Sequence, residues 1–357
     1  MDPVTHGLVG ATAAQSLSKP ESLRAAACTG FVAALLADLD ILIRNAGDPL
    51  LNVEMHRQFT HSLAFLPVGA LVATLLVWWM AQRWLSFRET YLFSLAGYAT
   101  SGPVDAMTSY GTQLLWPFST ERIAWNIISV FDPLFTIGIA GTCIWAFYYK
   151  RKTALWIAWG WMSCYLLFGI TQQKRARVTA SEHAERTGHT IERLTVKPGI
   201  GNQVLWSIRY QASDSIHAAA VRLVPFSEPV LYKGESAPLL DWKKEYEKYS
   251  NTTLYEDIRR FSVLSEGWLI RHPEQEQVIG DGRYSMLPTS ATPLWGIRAD
   301  TMQPQRHAPF LQFREMNPGL RNRYIELLLG PINGLPSCAT CISSSGLCES
   351  ICQFLYL

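Results

Sequence analysis

Long apolar runs fill the first half of this 357-residue chain, and they commit that half to lipid. Charged residues are sparse up to Thr171 and dense after it. Four runs read as clear spans, at 62–82, 90–105, 134–149 and 153–171. A fifth, Leu23 to Ile43, is apolar but carries Asp38 and Asp40 near its end. The sixth, Val4 to Leu17, is short and rich in small residues (Gly7, Gly10, Ala11, Ala13, Ala14). It suits close packing against the next helix across the turn at Lys19-Pro20-Glu21. The expectation is an α-helical multi-pass membrane domain of five to six spans over residues 1–171.

Basic residues orient it. With six spans and the N-terminus outside, the inner loops hold Lys19, Arg24, Arg83, Arg88, Lys150, Arg151 and Lys152. The outer loops hold Arg44, Arg57 and Arg122, diluted by Asp48, Glu54 and Glu121. That is the positive-inside pattern, and it puts everything after Thr171 outside the cytoplasm. Lys174, Arg175 and Arg177 run against it, but long domains translocate largely regardless of charge. The start of the sequence lacks a basic n-region and a cleavage site, so the first spans are expected to do the targeting.

Residues 172–330 read as a soluble α+β domain. Val204–Tyr210 and part of Ile216–Val224 alternate as strands, with a turn over Gln211–Ser215. Asp241–Ser262 has helical character, and short strands are expected at Trp268–Arg271 and Leu294–Ile297. Residues 331–357 form an atypical Cys/Ser-rich tail. Its Cys338, Cys341, Cys348 and Cys352 include a Cys-x-x-Cys pair, though the surrounding sequence reads better as a disordered tail. Cys28, Cys143 and Cys164 sit singly in apolar stretches as small hydrophobes. A net charge of +2 argues against a nucleic-acid partner, which would need a concentrated basic face.

Ionisable groups at the edges of spans are costly and point to function. Here they are His6, Asp38, Asp40, His56, His61, Asp105 and Asp132, and the six-span topology brings all of them to the outer face. Imidazole and carboxylate together suit a divalent metal, Zn²⁺ or Mn²⁺, and such a site activates water. His6, Asp38, Asp40, His56, His61 and Asp105 are the metal candidates. Arg57 would face a phosphoryl-type transition state, and Asp132 or Asp40 would act as general base. Thr60 and Asn126 are candidate supports for the ligands. For Asp132 the plain alternative is a helix cap before Pro133. His183, His189, His217, His272 and His307 show no ligand spacing and are read as fold or surface residues. The Asp281-Gly282-Arg283 run reads as a turn held by an Asp–Arg contact.

With these residues in view, the chain resembles the bacterial inner-membrane proteins known as membrane-bound metal-dependent hydrolases, the domain-of-unknown-function 457 family. Matching stretches are Met1–Gly7, Ala37–Asp40, His56–Ser62, Asp105–Phe118 and Asp132–Phe135. Further matches run from Gly280 to Pro288 and from Pro293 to Ile297, so the likeness covers about residues 1–330. It implies a hydrolase of the inner membrane that uses a divalent metal on a lipid or small-molecule phosphoester. The ligand set is also similar to that of zinc-dependent phospholipases C, in which a His-x-x-x-Asp pair shares one helical face. This sequence departs at Ser101, where that pattern would place His. The alternative function is a non-enzymatic membrane protein with a structural or degenerate metal site.

Overall fold

The computed structural model describes residues 1–330. Helices α1 (Pro3–Leu17) and α2 (Leu23–Leu36) form a hairpin, and a 3-10 turn, Ala37–Leu42, extends α2. After the short α3 (Leu51–Met55) come α4 (Leu66–Ala81) and α5 (Phe87–Ala106). Helices α6 (Pro133–Tyr149) and α7 (Thr153–Arg186) complete the helical region. Glycine sets its tightest point. A Cβ on Gly10 or Gly97 would collide with the backbone of Gly30, so α1 and α5 both close onto α2 through residues without side chains.

Among the described residues, three stretches are long and apolar enough to cross a membrane: Leu23–Leu42, Leu63–Ala81 and Thr153–Arg186. The other expected spans fall short for physical reasons. Helix α1 has 15 residues and α6 has 17, both short of a hydrocarbon core at about 1.5 Å per residue. Helix α5 has 20 residues but is polar, because it is the inner helix. Its Thr90, Ser94, Ser101 and Asp105 are buried by neighbouring helices rather than by lipid.

Helix α7 runs unbroken for 34 residues, past Thr171 and out of the apolar region. Its Ala176, Ala180 and Ala184 pack on the first of two antiparallel sheets, against Val196, Trp206, Ile208 and Val221. That sheet is a meander of β1 (Arg193–Pro198), β2 (Leu205–Ala212), β3 (Ser215–Arg222) and β4 (Val230–Pro238). After a single-turn helix, α8 (Trp242–Glu245), comes α9 (Thr253–Leu264). The second sheet orders β5 (Leu269–His272), β6 (Gln275–Asp281), β7 (Trp295–Arg298) and β8 (Phe310–Gln312). Helix α9 covers it with Leu254, Ile258 and Phe261 on Leu269, Ile279 and Ile297. Leu50, from the link between α2 and α4, is buried in the same core.

The two strands read from alternation correspond to β2 and β3, the two short strands expected further on to β5 and β7, and Asp241–Ser262 is largely helical. Strands β1, β4, β6 and β8 were not expected from the sequence; β4 is mostly exposed. Met1–Arg314 forms one compact unit, so no division of contacts falls at Thr171, and Glu315 onward forms a second. In the second unit α10 (Pro318–Leu329) is capped by Asn317, which accepts from the Leu320 amide at 2.8 Å. The tail cysteines Cys338, Cys341, Cys348 and Cys352 lie outside the described residues.

Candidate metal centre

Each cluster residue reaches the site from an element end. Asp2 caps α1 by accepting from the Thr5 amide at 3.0 Å, with Pro3 in the first turn, and this sets His6 on the opening turn of α1. Asp38 and Asp40 come from the 3-10 turn that ends α2. His56 closes α3, His61 ends the 3-10 turn Phe59–His61, and Asp105 sits in the last turn of α5. Between the two histidines Arg57 adopts a left-handed conformation, φ 61°. Such backbone is costly for a residue with a Cβ and tends to mark functional sites.

Asp105, wholly buried, is the hub. Its Oδ1 is 2.9 Å from His6 Nε2, and its Oδ2 is 3.3 Å from His61 Nε2 and 2.7 Å from Arg57 Nε. The Met1 amine also touches Oδ1. His61 Nε2 is a further 3.3 Å from Asp38 Oδ1. The Arg57–Asp105 contact is an ion pair at good distance, but its N–H is not aligned as a hydrogen bond. Asp40 builds a supporting layer. It accepts from the Arg57 amide at 2.9 Å and the Thr60 hydroxyl at 2.6 Å, and lies 2.7 Å from His56 Nδ1. The Tyr98 hydroxyl donates to the Thr60 carbonyl at 2.8 Å and fixes that turn to α5. Burial disfavours a charged His61, but the carboxylates of Asp105, Asp38 and Asp40, each within 3.4 Å of a ring nitrogen, outweigh this and lift its pKa to about 10.

The fit to a metal rests on unsatisfied atoms. His6 Nδ1, His61 Nε2 and Asp105 Oδ2 are buried without a hydrogen-bond partner, although buried polar atoms are nearly always paired. Two ligand atoms on one tetrahedral zinc, with bonds near 2.0–2.1 Å, stand about 3.3 Å apart. That matches the separations of His61 Nε2 from Asp38 and from Asp105. His6, Asp38 and Asp105 offer ligand atoms that all lie within 4.8 Å of one another. The donor set is nitrogen and carboxylate oxygen, as a divalent ion of the zinc or manganese class takes. These residues fit such an ion.

His6, Asp38, His61 and Asp105 thus converge, with Asp40 and His56 behind them. His56 reaches the group through Asp40, its ring centroid 6.4 Å from that of His61. Asp132 takes the plainer of its two readings. It caps α6, accepting from the Phe135 amide at 3.3 Å, and the Tyr165 hydroxyl donates to it at 2.8 Å. None of these bonds leads to the cluster, which removes the geometric support for Asp132 as general base. Asn126, at φ 54°, bonds Ala124 and backbone of the 106–108 turn region rather than a ligand. Ser101 donates to the Ala34 carbonyl at 2.9 Å and ties α5 to α2.

Several supports escaped sequence reasoning: Asp2, a carboxylate that acts as a helix cap, and Tyr98, Thr108 and Gln113, which carry no charge signal. Thr108 lies 3.4 Å from an Arg57 terminal nitrogen, and the Gln113 amide donates to the Arg57 carbonyl at 3.0 Å. Gly111 between them turns at φ 82°. The Thr-Ser-Tyr-Gly-Thr-Gln run is therefore the mould that holds Arg57. Elsewhere Asp48, Asp257 and His307 also gather within metal-like distances. Arg260 already supplies the positive charge there, pairing with Asp48, Glu54 and Asp257 at 2.6–3.0 Å.

Residues 1–176 match the family described as YdjM inner membrane protein, a stretch that contains every residue of the cluster. The membrane half of this chain belongs to that family. These are the inner-membrane proteins also grouped as membrane-bound metal-dependent hydrolases. The chain is 35% identical over 107 residues to the inner membrane protein YbcI of Escherichia coli (strain K12), covering 28% of this chain and 60% of YbcI. It is 30% identical over 110 residues to the protein YfhP of Bacillus subtilis (strain 168), covering 30% of this chain and 33% of YfhP. The chain therefore spans less than two thirds of each of these relatives. No solved structure matches.

Proposed function

We propose that this YdjM-family protein is a metal-dependent hydrolase of the inner membrane, acting on a lipid or phosphoester at the membrane surface. The observation that carries the reading is the pair of orphaned atoms His61 Nε2 and Asp105 Oδ2, buried 3.3 Å apart among further carboxylates. His6, Asp38, His61 and Asp105 would hold a divalent ion, which would supply Lewis acidity and a lowered pKa for water at the site. The chain's own residues do the rest. Asp40 and Thr60 hold His61 in orientation, Arg57 keeps a cation at the site, and Asp38, a quarter exposed, opens it. A structural site is the second reading, favoured by Arg57, which already balances Asp105, and by Ser101, which is engaged elsewhere.

Metal analysis of the purified full-length protein tests this, with wild type beside His61→Gln and Asp38→Asn. Wild type is expected to retain close to one zinc or manganese per chain or more. Each variant, folded by circular dichroism, is expected to lose tenfold or more in affinity, the usual scale for damage to a ligand or its support. A wild type that takes up neither ion would overturn the proposal.

A further inference from the structure

A cavity of about 410 Å³ lies between the loops that carry the cluster and the second sheet. Its size falls within the range of small-ligand sites. Arg57 belongs to both, with its Nε on Asp105 and its guanidinium facing the cavity 5.8 Å from the Tyr110 ring. Aromatic rings share the lining. Tyr284 stacks on Tyr110 at 5.4 Å, and Trp295 closes the group at 4.6 Å from Tyr284 and 5.6 Å from Tyr110. The Tyr284 hydroxyl also donates to the Ser109 carbonyl, which fastens the sheet to the loop that moulds Arg57.

The charged lining is one-sided: four arginines (Arg57, Arg122, Arg283, Arg314) against the single carboxylate Asp281. Asp281 is already occupied by Arg283 at 2.8 Å. Arg122 is held by the backbone carbonyls of Val53, Glu54, His56 and Gly111, neutral acceptors that leave its charge uncancelled. Arg314 lies over Trp295 at 5.5 Å. A cavity whose lining interleaves arginines with aromatic rings, Arg57 over Tyr110, Arg283 over Tyr284 and Arg314 over Trp295, selects a ligand with an anionic group joined to an apolar or cyclic one. Its contact with the cluster through Arg57 makes the anionic group the end that reaches the metal residues.

We infer that this cavity binds a phosphate ester, its phosphoryl group toward Arg57 and its organic portion against Tyr284 and Trp295, so that the second sheet reads the substrate. The inference rests on the hydrolase reading for what the metal residues do, but not for whether the ester binds. The source of the ester, a lipid headgroup or a soluble metabolite, shares this chemistry.

The probe is phenylphosphonate, a phosphate-ester analogue that is not hydrolysed, titrated calorimetrically into detergent-purified full-length protein. Wild type is expected to bind it, and Trp295→Leu and Arg314→Gln to bind it about tenfold more weakly with metal content unchanged. Arg314 is exposed, so Arg314→Gln carries little risk of misfolding. Displacement by nanodiscs of dioleoyl phosphatidic acid assigns the site to a lipid; displacement only by soluble esters assigns it to a metabolite. Absence of binding in metal-loaded wild type, or equal affinity in wild type and both variants, overturns the inference. Binding that persists in a wild type unable to take up metal sinks the hydrolase reading and leaves the phosphate-ester site standing.

Discussion

Ser101 shows how one position can look like a ligand in sequence and serve packing in space. It lies four residues before Asp105 on α5, where two side chains share a helical face. Its hydroxyl is nevertheless turned to the Ala34 carbonyl, fully buried where α2 and α5 close on each other. An imidazole there would need room that the Gly30–Gly97 approach one turn away does not leave. Overpacking a tight site costs about 1–3 kcal/mol. Ser101→His is therefore expected to lower the thermal midpoint of the purified protein and leave its metal content no higher than wild type. Ser101→Ala, which loses one hydrogen bond, should cost less, about 1 kcal/mol. A Ser101→His protein that gained both metal and stability would restore the ligand reading of this position.

At the scale of elements, apolarity made three candidate spans legible, and alternation made β2 and β3 legible because they bury one face on α7. Edge strands such as β4, exposed along most of its length, leave no such pattern. The metal candidates were legible because ionisable groups beside apolar runs are conspicuous. Tyr98 and Thr108 were not, since a neutral hydroxyl in a membrane helix or turn has many uses. Asp132 carried two readings, and only the position of Tyr165 on α7 separates them. The histidines around the first sheet, read as fold or surface residues, come together because strand pairing assembles residues far apart in sequence. His217 on β3 stacks on Tyr210 of β2 at 4.9 Å and lies 4.3 Å from His189, whose Nδ1 is 2.9 Å from the Tyr210 hydroxyl. Burial, then the neighbouring His189 and His183, pushes the His217 pKa below its usual value of 6.5. A histidine depressed in the folded state stabilises fully above its unfolded pKa and loses that contribution as pH falls through 6.5 toward the folded value. Lys233 on β4 and Arg186 on α7 add positive charge beside His183 and act in the same direction. The thermal midpoint should therefore drop as pH falls below about 6.5. His217→Gln should flatten that drop, and an identical pH profile in both proteins would remove the imidazole cluster as its cause.

For the whole molecule the decisive element is α7. Its 34 residues at about 1.5 Å each make a rod of about 51 Å, against a hydrocarbon core of about 30 Å. The N-terminal part, from Thr153, is apolar, while Ala176, Ala180 and Ala184 are buried in the core of the first sheet. A rod that crosses lipid with its first two thirds must deliver the sheets to the side opposite the Lys150–Lys152 loop. That loop carries three consecutive cations; Arg83 lies between α4 and α5 and Arg88 in the first turn of α5, at the end remote from Asp105. By the positive-inside rule these loops are expected to face the cytoplasm, and the sheets, the cavity and the cluster the periplasm. In a cysteine-free background, Lys152→Cys and Ser236→Cys are expected to react from opposite sides of the membrane with an impermeant thiol reagent. Ser236, on exposed β4, should label in intact spheroplasts, and Lys152 only after the membrane is breached. Labelling of both from one side would mean that α7 does not cross; labelling of Lys152 alone in spheroplasts would keep the crossing but invert the orientation, placing the cavity in the cytoplasm.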